Sequence, residues 1–203
     1  MTKRIAILIS GRGSNMTALL DAAASDVIAA DIALVLSNKE DAAGLAHAAE
    51  RGVETRFVDH RGKSREAFDH EVERQLEESA IDLVCLAGFM RIFSESFVER
   101  WQGRMVNIHP SLLPLFRGLN VHEQALDTGV ALSGCTVHWV TAELDGGPII
   151  GQAAVPTRAE DTPESLAKRV QSAEHLLYPR AVARVLGAPP SSFMDGDILV
   201  SIR

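Results

Sequence analysis

"ILISGRGSNMTALL" (residues 7–20) carries an apolar run into Ser10, breaks at a glycine turn and resumes as a helix-forming stretch at Ser14. Strand, glycine turn and helix in that order open an α/β domain built on a parallel sheet. Amides exposed at a helix N-terminus, with the helix dipole behind them, suit a phosphate. Gly11 and Gly13 permit close approach of the backbone, and Ser14 and Asn15 add side-chain donors. A dinucleotide fingerprint, G-x-G-x-x-G, would require glycine at position 16, which is Met16. The second strand ends "LSNKED", without an acidic residue at its tip for a ribose hydroxyl. The loop therefore fits a single phosphate group better than a dinucleotide. A tight strand-to-helix turn capped by Ser14 is the plainer alternative.

The same alternation continues outward. "RIAILIS" (4–10), "IALVLSN" (32–38), "TRFVD" (55–59), "IDLVCLAG" (81–88) and "RMVNIH" (104–109) are strand-length apolar runs. Helices are expected from about 14 to 24, over "GLAHAAERG", and over "SREAFDHEVERQLEESA". In the last, Ser64 can cap, Glu66 and Asp69 favour the first turn, and Phe68, Val72 and Leu76 space one apolar face. Near-continuous apolar strands separated by helices mean a Rossmann-like, mostly parallel twisted sheet with helices on both faces. After residue 130 the pattern changes. "GCTVHWVT" and "GPIIGQAAVPT" are separated only by "AELDG", too short for a crossover helix, so an antiparallel C-terminal extension is expected. A long helix follows, with Thr162 as N-cap, Pro163 in its first turn and Gly187 as its stop. Pro179 should kink or interrupt it. The terminal "DGDILVSIR" could add one short strand.

The chain has 203 residues, 46% of them hydrophobic, which suits one domain able to fold without disulfides or a structural metal. Its net charge of −7 supplies no global basic field for nucleic acid or an anionic membrane. Cys85 and Cys135 sit in apolar runs and read as reduced core residues of a cytoplasmic protein. "MTKRIAILIS" reads as a first strand rather than a signal peptide, because a glycine turn follows at once. No run approaches the roughly 18 apolar residues of a transmembrane helix.

The strand "RMVNIH" ends on two polar residues. Asn107 and His109 are two apart, so both side chains point to one side of the strand. The C-terminal edge of a parallel sheet is where ligands bind. Acyl transfer develops negative charge on a carbonyl oxygen, which an amide N–H₂ and a protonated imidazole can hold. The imidazole can also move a proton. A structural strand terminus with two satisfied polar groups is the alternative. A histidine used as a cation wants a carboxylate, and Asp145, in the turn "ELDGGP", is the candidate; a plain turn would also accept Asp. His122 lacks the second histidine of a zinc H-E-x-x-H helix. His138 lies in a strand and could line the same region. The other histidines have no companion at metal-ligand spacing, and no G-x-S-x-G elbow marks a serine nucleophile, Ser111 included.

"ISGRGSN", "LAGFMRIFS", "NIHPSLLP", "HEQALDTG", "GCTVHWVTAELDGGPII" and "QSAEHLLYP" occur in order along nearly the whole chain. Together they resemble the folate-dependent formyltransferases, and within them the branch acting on phosphoribosylglycinamide (GAR) in purine synthesis. The resemblance implies one formyltransferase domain over 1–203, with a phosphate-binding half of about 1–100 and a folate and catalytic half of about 101–188. It implies that Asn107, His109 and Asp145 are the catalytic trio and that Gly13, Ser14 and Asn15 cradle the substrate phosphate. Gln171 and Glu174 match further GAR contacts. Arg65, Met90, Arg91, Ile92 and Phe93, together with Asn107, match folate contacts. The implied co-substrate is 10-formyltetrahydrofolate, with no metal, nucleic acid or membrane partner, in a monomer or homodimer. Leu115 and Phe116 stand where some members carry lysine and tyrosine, so no contact is assigned to them.

Two relatives share the chemistry. A 10-formyltetrahydrofolate deformylase uses water as acceptor, usually with an extra N-terminal domain and without the Gly-Ser-Asn loop. Methionyl-tRNA formyltransferase needs a basic surface and a further C-terminal domain. A non-catalytic nucleotide-binding Rossmann module would account for the first loop but not for the distant trio.

Overall fold

The computed structural model describes residues 2–203. The chain forms two compact units, Met1–Asn107 and Ile108–Arg203. In the first, β1 (Lys3–Ile9), β2 (Ala30–Ser37), β3 (Thr55–Phe57), β4 (Leu83–Leu86) and β5 (Met105–His109) alternate with α1 (Ser14–Ala24), α2 (Ala43–Glu50), α3 (Arg65–Glu78) and α4 (Glu95–Arg100). The strand order is β3-β2-β1-β4-β5, with every pair parallel. β5 reaches two residues past the unit boundary, so Asn107 and His109 share one strand.

The apolar composition of the central strands explains this arrangement. Ile5, Ile7, Leu8, Ile9, Leu34, Val35, Leu36 and Val84 are fully buried, as strands covered on both faces must be. Ser64 caps α3 by accepting a hydrogen bond from the Ala67 amide. Asp69 does not serve that first turn. It is buried, and its carboxylate accepts the Ser94 amide at 2.7 Å, tying α3 to the start of α4.

The second unit contains α5 (Val121–Thr128), β6 (Leu132–Trp139), β7 (Ile149–Pro156), α6 (Pro163–Val185), β8 (Ser191–Asp195) and β9 (Ile198–Ile202). Its strands run in the order β6-β7-β9-β8 with antiparallel pairing throughout. The terminal segment is thus a hairpin rather than one added strand. α6 begins with a capping box between Thr162 and Ser165, has Pro163 in its first turn, and ends before Gly187 at φ 111°. Pro179 does not interrupt it. Proline removes one helical N–H, but Leu177, Tyr178, Ala181 and Val182 around it are fully buried, and that packing carries the helix through. Cys85 and Cys135 are both buried and are not joined by a disulfide. Among the described residues, no helix is long and apolar enough to cross a membrane.

Candidate active site

The glycine turn after β1 delivers the chain into α1 through Gly13, which adopts a left-handed conformation at φ 76°. No side chain caps this helix; Gly13 occupies the N-cap, so Ser14 is its first residue rather than its cap. The turn is held from the side by α2. The Gly44 amide donates to the Gly11 carbonyl at 3.1 Å. A methyl group on Gly44 would lie 3.1 Å from that oxygen and 3.3 Å from the Gly13 Cα. Absence of a side chain at 44 therefore allows a second helix to close on the loop.

The segment after β4 presents the other residues singled out in this unit. Met90 and Ile92 are 64% and 59% exposed, apolar surface on two outward positions with Arg91 between them. Phe89 and Phe93 anchor it inward, with ring centroids 5.3 Å apart, and Phe93 stacks on Phe97 at 4.2 Å. The Arg91 guanidinium lies 5.7 Å from the Phe68 ring centroid, and its Nε is buried without a hydrogen-bond partner. Arg65, the first residue of α3, is exposed.

In the second unit His109 is buried, and both of its ring nitrogens face acceptors. Nδ1 lies 3.4 Å from Asp145 Oδ2, and Nε2 lies 2.9 Å from the Phe116 carbonyl oxygen. A neutral imidazole offers only one N–H. The carbonyl can only accept, so Nε2 carries an N–H, and the Asp145 carboxylate faces the other nitrogen. Asp145 sits in its turn at φ 50°, a conformation Asp tolerates better than most residues. Its Oδ2 also accepts the Gly118 amide at 3.0 Å.

His138 completes this cluster more closely than the sequence suggests. Its Nε2 lies 3.7 Å from Asp145 Oδ1, and its Nδ1 lies 2.9 Å from the Trp139 carbonyl. One carboxylate therefore stands between two histidines. Burial pushes the His138 imidazole below its ordinary pKa near 6.5, against the Asp145 charge. Burial, and then the nearness of His109, lowers His122 as well, and burial lowers His175. These groups bind protons more weakly folded than unfolded. Their contribution to stability is intact above about pH 6.5 and is lost as pH falls through that value. Urea midpoints should accordingly be lower at pH 5.5 than at 7.5, and the His175→Gln variant should show a smaller difference.

Hydrogen bonds pin the exit from β5. Thr136 Oγ1 donates to the Ser111 carbonyl at 2.7 Å and accepts the Leu113 amide at 3.0 Å. The Ser111 hydroxyl donates to the Leu115 carbonyl at 2.6 Å. Gln171 and Glu174 are three residues apart on α6, so they share a face, and Glu174 is buried. No group of three His, Cys, Asp or Glu residues able to hold a metal occurs among the described residues.

The first unit carries a glycine loop after its first strand, and the second carries a buried histidine beside a carboxylate, groups of a kind that can move a proton or stabilise an oxyanion. Comparison with known proteins makes this specific. The chain belongs to the formyl transferase family, whose model matches residues 3–182. The phosphoribosylglycinamide formyltransferase of Escherichia coli (strain K12) is 47% identical over 180 residues, covering 88% of this chain and 85% of that one. The trifunctional purine biosynthetic protein adenosine-3 of Homo sapiens is 51% identical over 196 residues. This chain spans 96% of its own length in that match but only 19% of the human protein. Among solved structures, glycinamide ribonucleotide transformylase 1 from Symbiobacterium toebii superposes with a TM-score of 0.89 at 42% identity, covering 100% of this chain and 95% of that one.

Proposed function

We propose that the protein transfers the formyl group of 10-formyltetrahydrofolate to the amine of phosphoribosylglycinamide, giving formylglycinamide ribonucleotide and tetrahydrofolate in purine synthesis. The observation that carries this reading is the buried His109, both of whose ring nitrogens face acceptors, two residues after Asn107 in one strand. The names of the Escherichia coli and Symbiobacterium toebii proteins support the same substrate.

The glycinamide nitrogen attacks the formyl carbon, and the carbonyl oxygen becomes an oxyanion in a tetrahedral intermediate. Asn107 donates a hydrogen bond to that oxygen. His109, as imidazolium, stabilises it electrostatically. Asp145 keeps the cation paired and organises the water that takes the amine proton. The bond from the formyl carbon to N10 of the folate then breaks, and N10 takes up a proton. Gly13, Ser14 and Asn15 receive the substrate phosphate, with Gln171 and Glu174 as further GAR contacts. Arg65, Asn107 and residues 90–93 receive the folate, whose flat rings would cover the exposed Met90 and Ile92. The protein acts on its own small substrates without a metal, nucleic acid or membrane partner.

The test is a formyl-transfer assay with GAR, an amine-blocked analogue and a water-only control. Tetrahydrofolate release that requires the free amine supports the proposal. Equal release in the water-only control makes the protein a deformylase instead. The loop assignment has its own check in Gly44→Ala. The new methyl meets the Ile9 Cδ1 most closely, a side-chain end that can shift, and also crowds the Gly11 carbonyl and the Gly13 Cα. That crowding should cost about 1–3 kcal/mol of stability. KM for GAR should rise several-fold on the order expected for a displaced phosphate cradle, while KM for the folate stays near wild type.

A further inference from the structure

We infer that Ser10 is a positioning residue for the formyl donor, holding residues 90–93 in place through the backbone amide of Met90. The inference rests on the folate role proposed for that segment.

Ser10 follows the last residue of β1 and precedes the glycine turn, and it is buried. It grips the chain beyond β4 at two points. Its amide donates to the Gly88 carbonyl at 3.1 Å, and its hydroxyl oxygen accepts the Met90 amide at 2.7 Å. The two bonds close a small ring around Phe89. Gly88, at φ 75°, supplies the left-handed turn that lets the chain fold back to make the second bond.

The direction of each bond follows from what each partner can do. Met90 N–H can only donate, so the Ser10 hydroxyl must send its own hydrogen elsewhere. That hydrogen goes to Asn38 Oδ1 at 2.5 Å. Asn38, at the end of the β2 run, is 2% exposed, and the amide edge facing Ser10 is thereby fixed as oxygen. On its other side His60 Nδ1 lies 2.8 Å from the Asn38 carbonyl and 3.3 Å from Asn38 Nδ2. The shorter contact makes Nδ1 the donor to the carbonyl. A directed chain thus runs from the Met90 amide through Ser10 to Asn38, with His60 bracing the far end. Ser10 and Asn38 are buried, so water competes poorly for the bond between them, while the bonds to Met90 and His60 at the two ends are part-buried; loss of the Ser10 hydroxyl leaves the Met90 amide without this acceptor.

The consequence lies in what the clamp leaves outside. Phe89 and Phe93 are stacked inward, while Met90 and Ile92 stand exposed. Two outward apolar side chains on an irregular segment would turn inward if the backbone between them were free. The Ser10 hydroxyl restrains that backbone one residue after Phe89. The neighbouring glycine turn has an independent restraint in the Gly44 amide, so the effect of Ser10 falls on the folate segment more than on the phosphate loop.

The test compares Ser10→Ala, Ser10→Cys and Ser10→Thr in steady-state formyl transfer, with hydrogen exchange of the peptide containing residues 88–93. In Ser10→Ala, KM for 10-formyltetrahydrofolate should rise about tenfold, the scale of one lost hydrogen bond. Exchange at Met90 should accelerate, and kcat should stay within about threefold of wild type. Ser10→Thr keeps the hydroxyl and should restore both values. Ser10→Cys, a weaker acceptor, should fall between and serves if the alanine variant does not fold. An unchanged KM for the folate overturns the inference, as does a lower melting temperature without faster exchange. If the wild-type protein transfers no formyl group, the functional reading fails on its own. Exchange at Met90 then decides the clamp: loss in Ser10→Ala with retention in Ser10→Thr supports it, and no change overturns it.

Discussion

His109→Ala should lower kcat for formyl transfer by about 10³-fold, the combined range of one oxyanion-stabilising group and one acid–base group. The folded state should survive. Asp145 keeps the Gly118 amide and the neighbouring His138 when His109 is gone, so no carboxylate is left buried alone. His109→Gln separates two roles that alanine removes together. Glutamine can donate a hydrogen bond but carries no charge. If the cation is what stabilises the oxyanion, His109→Gln should be nearly as slow as alanine. If a neutral donor suffices, it should recover much of the lost rate. The Phe116 carbonyl occupies the Nε2 proton at 2.9 Å. A formyl oxygen that takes this proton replaces one acceptor by another, so the ring need not change its protonation to engage substrate. Steady-state kcat for each variant, with thermal denaturation to confirm folding, provides the measurement. Near-normal turnover in His109→Ala would remove His109 from the mechanism.

The parts that could be read from sequence are those set by local rules. Ile5 to Ile9 and Leu34 to Leu36 announce buried parallel strands because both faces of such strands are apolar. Thr162 before Pro163 announces a helix start because capping is a local matter of one side chain and one amide. α4 escaped notice because six residues are too few to show a helical period. The β8–β9 hairpin escaped because its exposed apolar residues, such as Met194 and Leu199, blur the contrast between a buried and a solvent-facing side. Asp69 looked like a helix-dipole residue, yet its partner is the amide of Ser94, twenty-five residues away. The site divides in the same way. Strand spacing placed Asn107 and His109 on one side of β5. The approach of His138 to Asp145 depends on how β6 meets its turn, which no pattern within "TVHWV" encodes. Ser10 and Asn38 did carry a signal, since both are polar residues ending otherwise apolar parallel strands, where ligand sites gather.

Asp145 variants should divide chemistry from architecture. Asp145→Asn keeps a side-chain oxygen for the Gly118 amide, and asparagine tolerates the left-handed backbone at φ 50°. Its stability should fall by less than about 1 kcal/mol, the size of a neutral replacement within one hydrogen bond. The charge facing His109 Nδ1 at 3.4 Å and His138 Nε2 at 3.7 Å is nevertheless lost. Two buried imidazoles then surround a neutral amide, and the cationic form of His109 loses its counter-ion. A decrease in kcat of about 10²–10⁴-fold is expected from removing the group that supports a catalytic acid or base. Asp145→Ala should lose a similar rate and also about 1–3 kcal/mol of stability, because the Gly118 amide is left without its acceptor. Alanine is also strained at positive φ, which adds to that cost. The diagnostic result is the pair: similar kcat, different melting temperature. Should Asp145→Asn retain wild-type turnover, Asp145 would be the turn residue that its glycine-rich surroundings first suggested, and His109 would have to hold its charge by the Phe116 carbonyl alone.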